Sequence, residues 1–176
     1  MKNYKVNYVD VKTGEKLAYR SAGSGDNTYL LIHGNMSSSI HWSTLMEKLE
    51  SHSKVYGVDL RGFGDSSYNG ELNSLQDFAQ DVKEFILELG LDNLIVVGWS
   101  TGGGIALELA VMGEVSERIK KVVLLDSVGI QGYPIMRKDE EGTPIPGDFL
   151  KEKSEIAVDA VQVAPILYAY ESKNKD

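Results

Sequence analysis

The chain has 176 residues, 42% of them hydrophobic and 25% charged, and a formal net charge of −8. That is enough for one domain with a sizeable core, and the acidic balance argues against general binding to nucleic acid or anionic membranes. There is no cysteine, which rules out disulfides, thiolate catalysis and cysteine-ligated metals.

The opening Met1-Lys2-Asn3-Tyr4-Lys5-Val6 lacks the apolar segment of a signal peptide, and no apolar run approaches the length of a bilayer span. The expected compartment is therefore the cytoplasm. Lys5–Val11 and Lys16–Ala22 read as antiparallel strands about the turn Lys12-Thr13-Gly14-Glu15. A glycine-containing loop leads into the apolar strand Thr28–Ile32, which stops at His33-Gly34-Asn35. Trp42, Leu45, Met46 and Leu49 share one helical face, predicting a helix over about 40–50. Val55–Leu60 is the next strand, followed by the turn Arg61-Gly62-Phe63-Gly64.

Ser74, with Asp77 three residues on, opens the clearest helix as a capping box. Leu75, Phe78, Val82, Phe85, Ile86 and Leu89 recur at helical spacing, and Gly90 suits the residue after its end. Asn93–Val97 reads as a strand, Gly103–Met112 as a helix and Lys121–Leu125 as the last clear strand. After two leading strands, this alternation predicts an α/β fold with a largely parallel sheet. From Gly129 to Gly147, glycines and prolines around the charged run Arg137–Glu141 read as a long connection, and Phe149–Tyr170 as one or two helices.

Ser100 is the most informative residue. An apolar run of strand formers, Leu94–Val97, enters Gly98-Trp99-Ser100-Thr101-Gly102, and a helical stretch follows. This is the sequence form of a nucleophile elbow. Gly98 and Gly102 lack a Cβ, so strand, turn and helix can approach closely. The turn then holds the serine in a strained conformation with its hydroxyl exposed, at a helix N-terminus that favours developing negative charge. The bland reading is a serine in a tight strand–helix turn. A dinucleotide-binding reading is weaker, because this run does not supply Gly-x-Gly-x-x-Gly.

Two further segments accompany the elbow. His33-Gly34-Asn35-Met36 ends a buried strand, and Asp59-Leu60-Arg61-Gly62-Phe63-Gly64-Asp65-Ser66-Ser67 follows the next. With Ser100, these resemble the α/β-hydrolase superfamily in order and spacing over roughly residues 5–130. The resemblance implies the α/β-hydrolase fold, a mostly parallel sheet with flanking helices, truncated after about the sixth strand. Residues 1–128 would be the N-terminal part of the core and 129–176 the beginning of a helical cap.

The resemblance also implies roles. Ser100 would be the nucleophile, and the N–H groups of Asn35 and Thr101 would form the oxyanion hole. His33 would be structural rather than a base, and the Asp59–Ser67 loop would be scaffold. Trp99 and Met36 are candidate pocket residues, with packing an equal alternative for Trp99. The run from His33 to Trp42 is similar to the turn of haloalkane dehalogenases, which carry Asp at the elbow. Gly98-Trp99-Ser100 resembles some intracellular polyhydroxybutyrate depolymerases.

The pattern breaks downstream. In this superfamily the acid and the histidine follow the serine, yet His33, His41 and His52 all precede Ser100. Asp126, at the end of the strand after the elbow helix, stands where some members place their acid, and equally suits a structural strand end. The implied activity is a serine hydrolase acting on a carboxylic ester, lactone or thioester of a small, partly apolar substrate, with no metal and no cofactor. A second chain or a C-terminal segment outside these residues would supply the histidine and the acid. The alternatives are a catalytically incomplete fragment or ligand-binding protein, and a carbon–carbon bond hydrolase or cofactor-free peroxidase on the same fold.

Overall fold

The computed structural model describes residues 2–128, 136–141, 143–149 and 168. β1 (Val6–Asp10) and β2 (Lys16–Ala22) form the expected hairpin, with Val6 opposite Arg20 and Asp10 opposite Lys16. β2 then pairs antiparallel with β4 (Lys54–Val58). β3 (Thr28–Ile32) lies parallel between β4 and β5 (Leu94–Trp99), and β6 (Ile119–Leu125) runs parallel along the other side of β5. The spatial order is β1-β2-β4-β3-β5-β6, with β2 alone running against the rest.

The two-residue alternation of the central strands feeds two cores. Leu30, Ile32 and Val96 meet Phe78, Val82 and Phe85 of α2 (Leu75–Glu88) and Ile105 and Leu109 of α3 (Thr101–Leu109). Leu31, Val55 and Val97 project to the other face, against Trp42 and Met46 of the segment containing α1 (Ser43–Leu49). Both faces are covered, which is why these strands read as unbroken apolar runs. At α2 the capping box forms as expected: Ser74 donates its N–H to Asp77 at 2.9 Å, and Gly90 takes φ 59° past the helix end.

Several elements differ from the sequence expectation. The helix over 40–50 is a 3₁₀ turn, Ser39–Trp42, followed by α1. α3 starts at Thr101 rather than Gly103. Three successive glycines are poor helix formers, but here they are buried, and tertiary packing overrides their propensity. A short α4 (Gly113–Ser116) separates α3 from β6. Within the expected long connection, β7 (Met136–Lys138) and β8 (Pro144–Phe149) pair antiparallel as a separate two-stranded sheet. Pro144 opens β8, a position where the missing N–H is tolerated. Phe149, the expected start of a helical stretch, instead ends β8; the rest of 149–170 lies outside the described residues, apart from Tyr168, whose ring centroid is 6.2 Å from that of Tyr68.

The long segment between β4 and α2 is pinned by a buried arginine. Arg61 donates from Nε and Nη2 to Asp81 of α2 at 2.7 and 2.5 Å and from Nη1 to the Gly70 carbonyl at 3.2 Å. Glu15, from the β1–β2 turn, lies 3.4 Å from Arg61 and accepts the N–H groups of Asn69 and Gly70. Removing one partner strands the buried charge of the other. Asp81→Ala is therefore expected to lower the unfolding free energy by about 3–5 kcal/mol, read from urea denaturation. A loss below about 1 kcal/mol would mean that the pair behaves as a solvated surface bridge.

Candidate active site

The site follows from strand order. The chain leaves β3 towards α1 on one face and leaves β5 into α3 on the other. Diverging connections at adjacent parallel strands open a crevice at their C-terminal ends, where α/β sheets bind ligands. Ser100 stands at this point, between β5 and α3, with φ 54° and ψ −119°. Such a backbone costs a non-glycine residue on the order of 1–3 kcal/mol and persists only where neighbours enforce it. Here the Ser100 N–H donates to the Leu125 carbonyl at 3.0 Å, and the Ser100 carbonyl accepts from Gly103 at 3.0 Å and Val128 at 3.2 Å.

Two glycines bring the β3 turn onto this serine. A Cβ on Gly102 would collide with the carbonyl oxygens of Ile32 and His33. A Cβ on Gly34 would lie 2.9 Å from Ser100 Cβ and 3.5 Å from its Oγ. Asn35, half-buried, and Thr101, buried, flank this contact from the two elements. No turn, loop or cap hydrogen bond uses the backbone N–H of either residue among the described residues. The Asn35 side-chain Oδ1 accepts the Met36 N–H at 3.0 Å, and Met36 takes φ 50° with its side chain 69% exposed. Two uncommitted N–H groups on either side of a serine hydroxyl, one of them at a helix N-terminus, are a chemical arrangement suited to an oxyanion.

A buried polar brace lies behind the β3 turn. Asp59, fully buried, accepts the Ser39 N–H at 2.6 Å on Oδ1 and the Asp65 N–H at 3.0 Å on Oδ2. Arg20 of β2 lies 3.6 Å from the same carboxylate and donates to Ser39 Oγ at 2.6 Å. One carboxylate thus ties the turn after β3 to the turn after β4. Sequence reasoning placed Asp59 in scaffold but missed Arg20 and Ser39. The available signal was an arginine in phase with Ala18 and Ala22 in a strand, an inward position that demands a partner.

None of the three histidines is hydrogen-bonded to Ser100 among the described residues. His33 is fully buried and uses both ring nitrogens: Nδ1 meets the Gly34 carbonyl at 2.7 Å, and Nε2 accepts the Leu60 N–H at 3.0 Å. His41 is exposed and its Nδ1 lies 3.0 Å from Ser37 Oγ, at the start of the 3₁₀ turn. His52 is exposed beside Ser51. Trp99 points to the α1 face, where its ring meets Trp42 edge-on at 6.5 Å and remains 37% exposed. Asp126 is exposed at the end of β6 with φ 39°. Among the described residues, no group of three or more His, Cys, Asp or Glu could hold a metal, and no helix is long and apolar enough to cross a membrane.

Strand order, elbow and adjoining turn together define an enzyme-type α/β fold with its crevice beside Ser100. The family model described as alpha/beta hydrolase fold matches residues 28–157, and the chain belongs to this family. It is 34% identical over 116 residues to the dihydrolipoyllysine-residue acetyltransferase component of the acetoin cleaving system of Cupriavidus necator, covering 66% of this chain and 30% of that protein. A soluble epoxide hydrolase of Corynebacterium sp. is 30% identical over 133 residues, covering 76% of this chain and 44% of that one. Among solved structures, an esterase from Exiguobacterium antarcticum superposes with a TM-score of 0.64 at 26% identity, covering 78% of this chain and 49% of the esterase. The chain therefore spans less than half the length of each of these relatives.

Burial, the largest influence on it, holds His33 below the ordinary value of 6.5, against the opposing pull of Asp59. The unfolded chain takes up a proton as pH falls through about 6.5 while the folded one does not, so stability is full above that pH and declines towards the folded value. Urea denaturation between about pH 7.5 and pH 5.5 is expected to show this decline, and His33→Gln, though less stable, is expected to flatten it. An unchanged slope in the variant would show that His33 titrates as a solvated residue.

Proposed function

We propose that this protein belongs to a serine hydrolase that cleaves an ester-type bond, a carboxylic ester, lactone or thioester, of a small and partly apolar substrate. The observation that carries this reading is the backbone of Ser100, forced to φ 54° between β5 and α3 and packed against Gly34 of the neighbouring turn. A serine at that point suits acyl transfer, since its oxygen can form and release an acyl ester. Ser100 Oγ attacks the substrate carbonyl as a base removes its proton, and the N–H groups of Asn35 and Thr101 receive the oxyanion. The leaving group takes a proton and departs, and water hydrolyses the acyl-enzyme by the same route. Each oxyanion donor lowers the barrier by about 3–4 kcal/mol. This chemistry calls on no metal and no organic cofactor.

The base and its acid come from outside these 176 residues, from a further segment or a second chain, because His33 is fully engaged and His41 and His52 serve surface turns. Met36 and Trp99, both exposed beside the elbow, are the apolar groups offered to the substrate. The cap expected over 129–176 lies largely outside the described residues. The engagement of every histidine favours one second reading: the chain by itself is catalytically incomplete and binds a ligand in the same crevice. The likeness to an esterase and to a hydrolase favours the first.

In the complete protein, Ser100→Ala is expected to lower kcat on the order of 10⁴- to 10⁶-fold. Far-UV circular dichroism is expected to stay unchanged, because among the described residues the half-buried hydroxyl makes no hydrogen bond that the fold uses. Turnover of a panel of activated esters before and after the substitution reads this directly. Retained turnover in the variant would refute the assignment.

A further inference from the structure

The turn that carries Asn35 is anchored at both ends on the turn after β4. At its start, His33 Nε2 accepts the Leu60 N–H at 3.0 Å. At its finish, Ser39 donates its N–H to Asp59 Oδ1 at 2.6 Å. Residues 34–38 bridge the two anchors. Within the bridge Met36 takes φ 50°, a conformation that a residue other than glycine keeps only where its surroundings enforce it. No turn, loop or cap hydrogen bond uses the Asn35 N–H among the described residues. Its direction is therefore set by the anchors. The Ser39 anchor draws on two further strands. Gly57 of β4 lies against it: a Cβ there would be 3.2 Å from Ser39 Cβ. Arg20 of β2, the register partner of Gly57, donates from Nη1 to Ser39 Oγ at 2.6 Å and lies 3.6 Å from Asp59 Oδ2. Arg20, Ser39 and Asp59 are all buried.

We propose that Arg20 is a positioning residue for the reaction: acting through Ser39 and Asp59, it fixes the direction in which Asn35 presents its N–H to the oxyanion. Arg20 stands on β2, with β4 and β3 between it and the strand that ends at the elbow, so its action is indirect. Both oxygens of Asp59 accept an N–H, one from Ser39 and one from Asp65, which is the bonding pattern of a carboxylate. A buried carboxylate demands a counter-charge, and Arg20 supplies it. The same guanidinium grips the Ser39 hydroxyl, so one side chain both neutralises the anchor and holds the residue anchored. Donors aimed at a transition state work only when the groups around them lock their geometry, and a misplacement of about 1 Å can cost about 10²-fold in rate. The inference rests on the oxyanion role proposed for Asn35.

Steady-state turnover of activated esters by the complete protein tests this, with circular dichroism confirming the fold of each variant. Arg20→Met is expected to lower kcat about 10- to 100-fold. KM is expected to stay within about threefold, because the oxyanion exists only beyond the ground state. Arg20→Lys keeps the cation and is expected to hold kcat within about fivefold of the wild type. Ser39→Ala removes only the hydroxyl that Arg20 grips; it is expected to lower kcat about 5- to 10-fold at unchanged KM, and it serves if Arg20→Met misfolds. Leu91→Ala opens a cavity in the core just before β5, at the end of the sheet away from Ser100. It controls for lost stability, with kcat expected within about twofold of the wild type. Wild-type kcat in folded Arg20→Met or Ser39→Ala, a loss confined to KM, or an equal loss in Leu91→Ala would overturn the positioning role and leave the reading of Ser100 standing. A wild-type protein inert towards every ester would remove that reading, and this role with it.

Discussion

The C-terminal ends of β3 and β5 approach so closely that neither Gly34 nor Gly102 has room for a Cβ. Everything proposed for the site depends on this contact. It sets the turn after β3 against the Ser100 side chain and seats the first turn of α3 on the carbonyls that end β3. The strain at Ser100 is offset locally, by three backbone hydrogen bonds to Leu125, Gly103 and Val128. A strained residue held in this way by main-chain hydrogen bonds is preorganised, as the proposed role of Ser100 requires.

The remaining polar residues support that contact from behind. Asp59 and Arg20 hold the turn after β3 at Ser39, and Asp59 also reaches Asp65 in the turn after β4. His33 contributes through both ring nitrogens, linking Gly34 to Leu60, and its neutral form is the one that Nε2 needs in order to accept. These groups brace the turn that carries Gly34 and Asn35 from behind. The histidine of the β3 turn is thus a structural linker, and activation of the serine needs a different one.

Much of this was legible in the sequence because local signals agreed with the fold. Gly-x-Ser-x-Gly stood between an apolar run and a helix, and Ser74 with Asp77 marked the start of α2. The strands β2 and β3 have the expected bounds because polar or glycine-containing turns flank them on both sides. Other features depend on contacts distant in sequence. The three glycines of α3 oppose helix propensity, so its start at Thr101 follows from packing on β3. Two partners of Asp59 lie 20 and 39 residues upstream, at Ser39 and Arg20, beyond any local pattern. Trp99 faces α1 because the path of the chain decides which side of β5 that helix covers, and periodicity alone does not contain it. Between 136 and 149 the prolines and glycines concealed a paired hairpin.

The measurement that bears most directly on the role of Ser100 is labelling of the complete, folded protein with a fluorophosphonate, followed by peptide mapping. Such a probe forms a covalent bond only with a serine whose proton a base removes, and it reacts whatever the natural substrate is. One adduct per chain on Ser100, lost when the protein is unfolded before exposure, is the predicted result. A folded protein that takes no label, or takes it at another serine, would contradict the assignment of this elbow as a nucleophile.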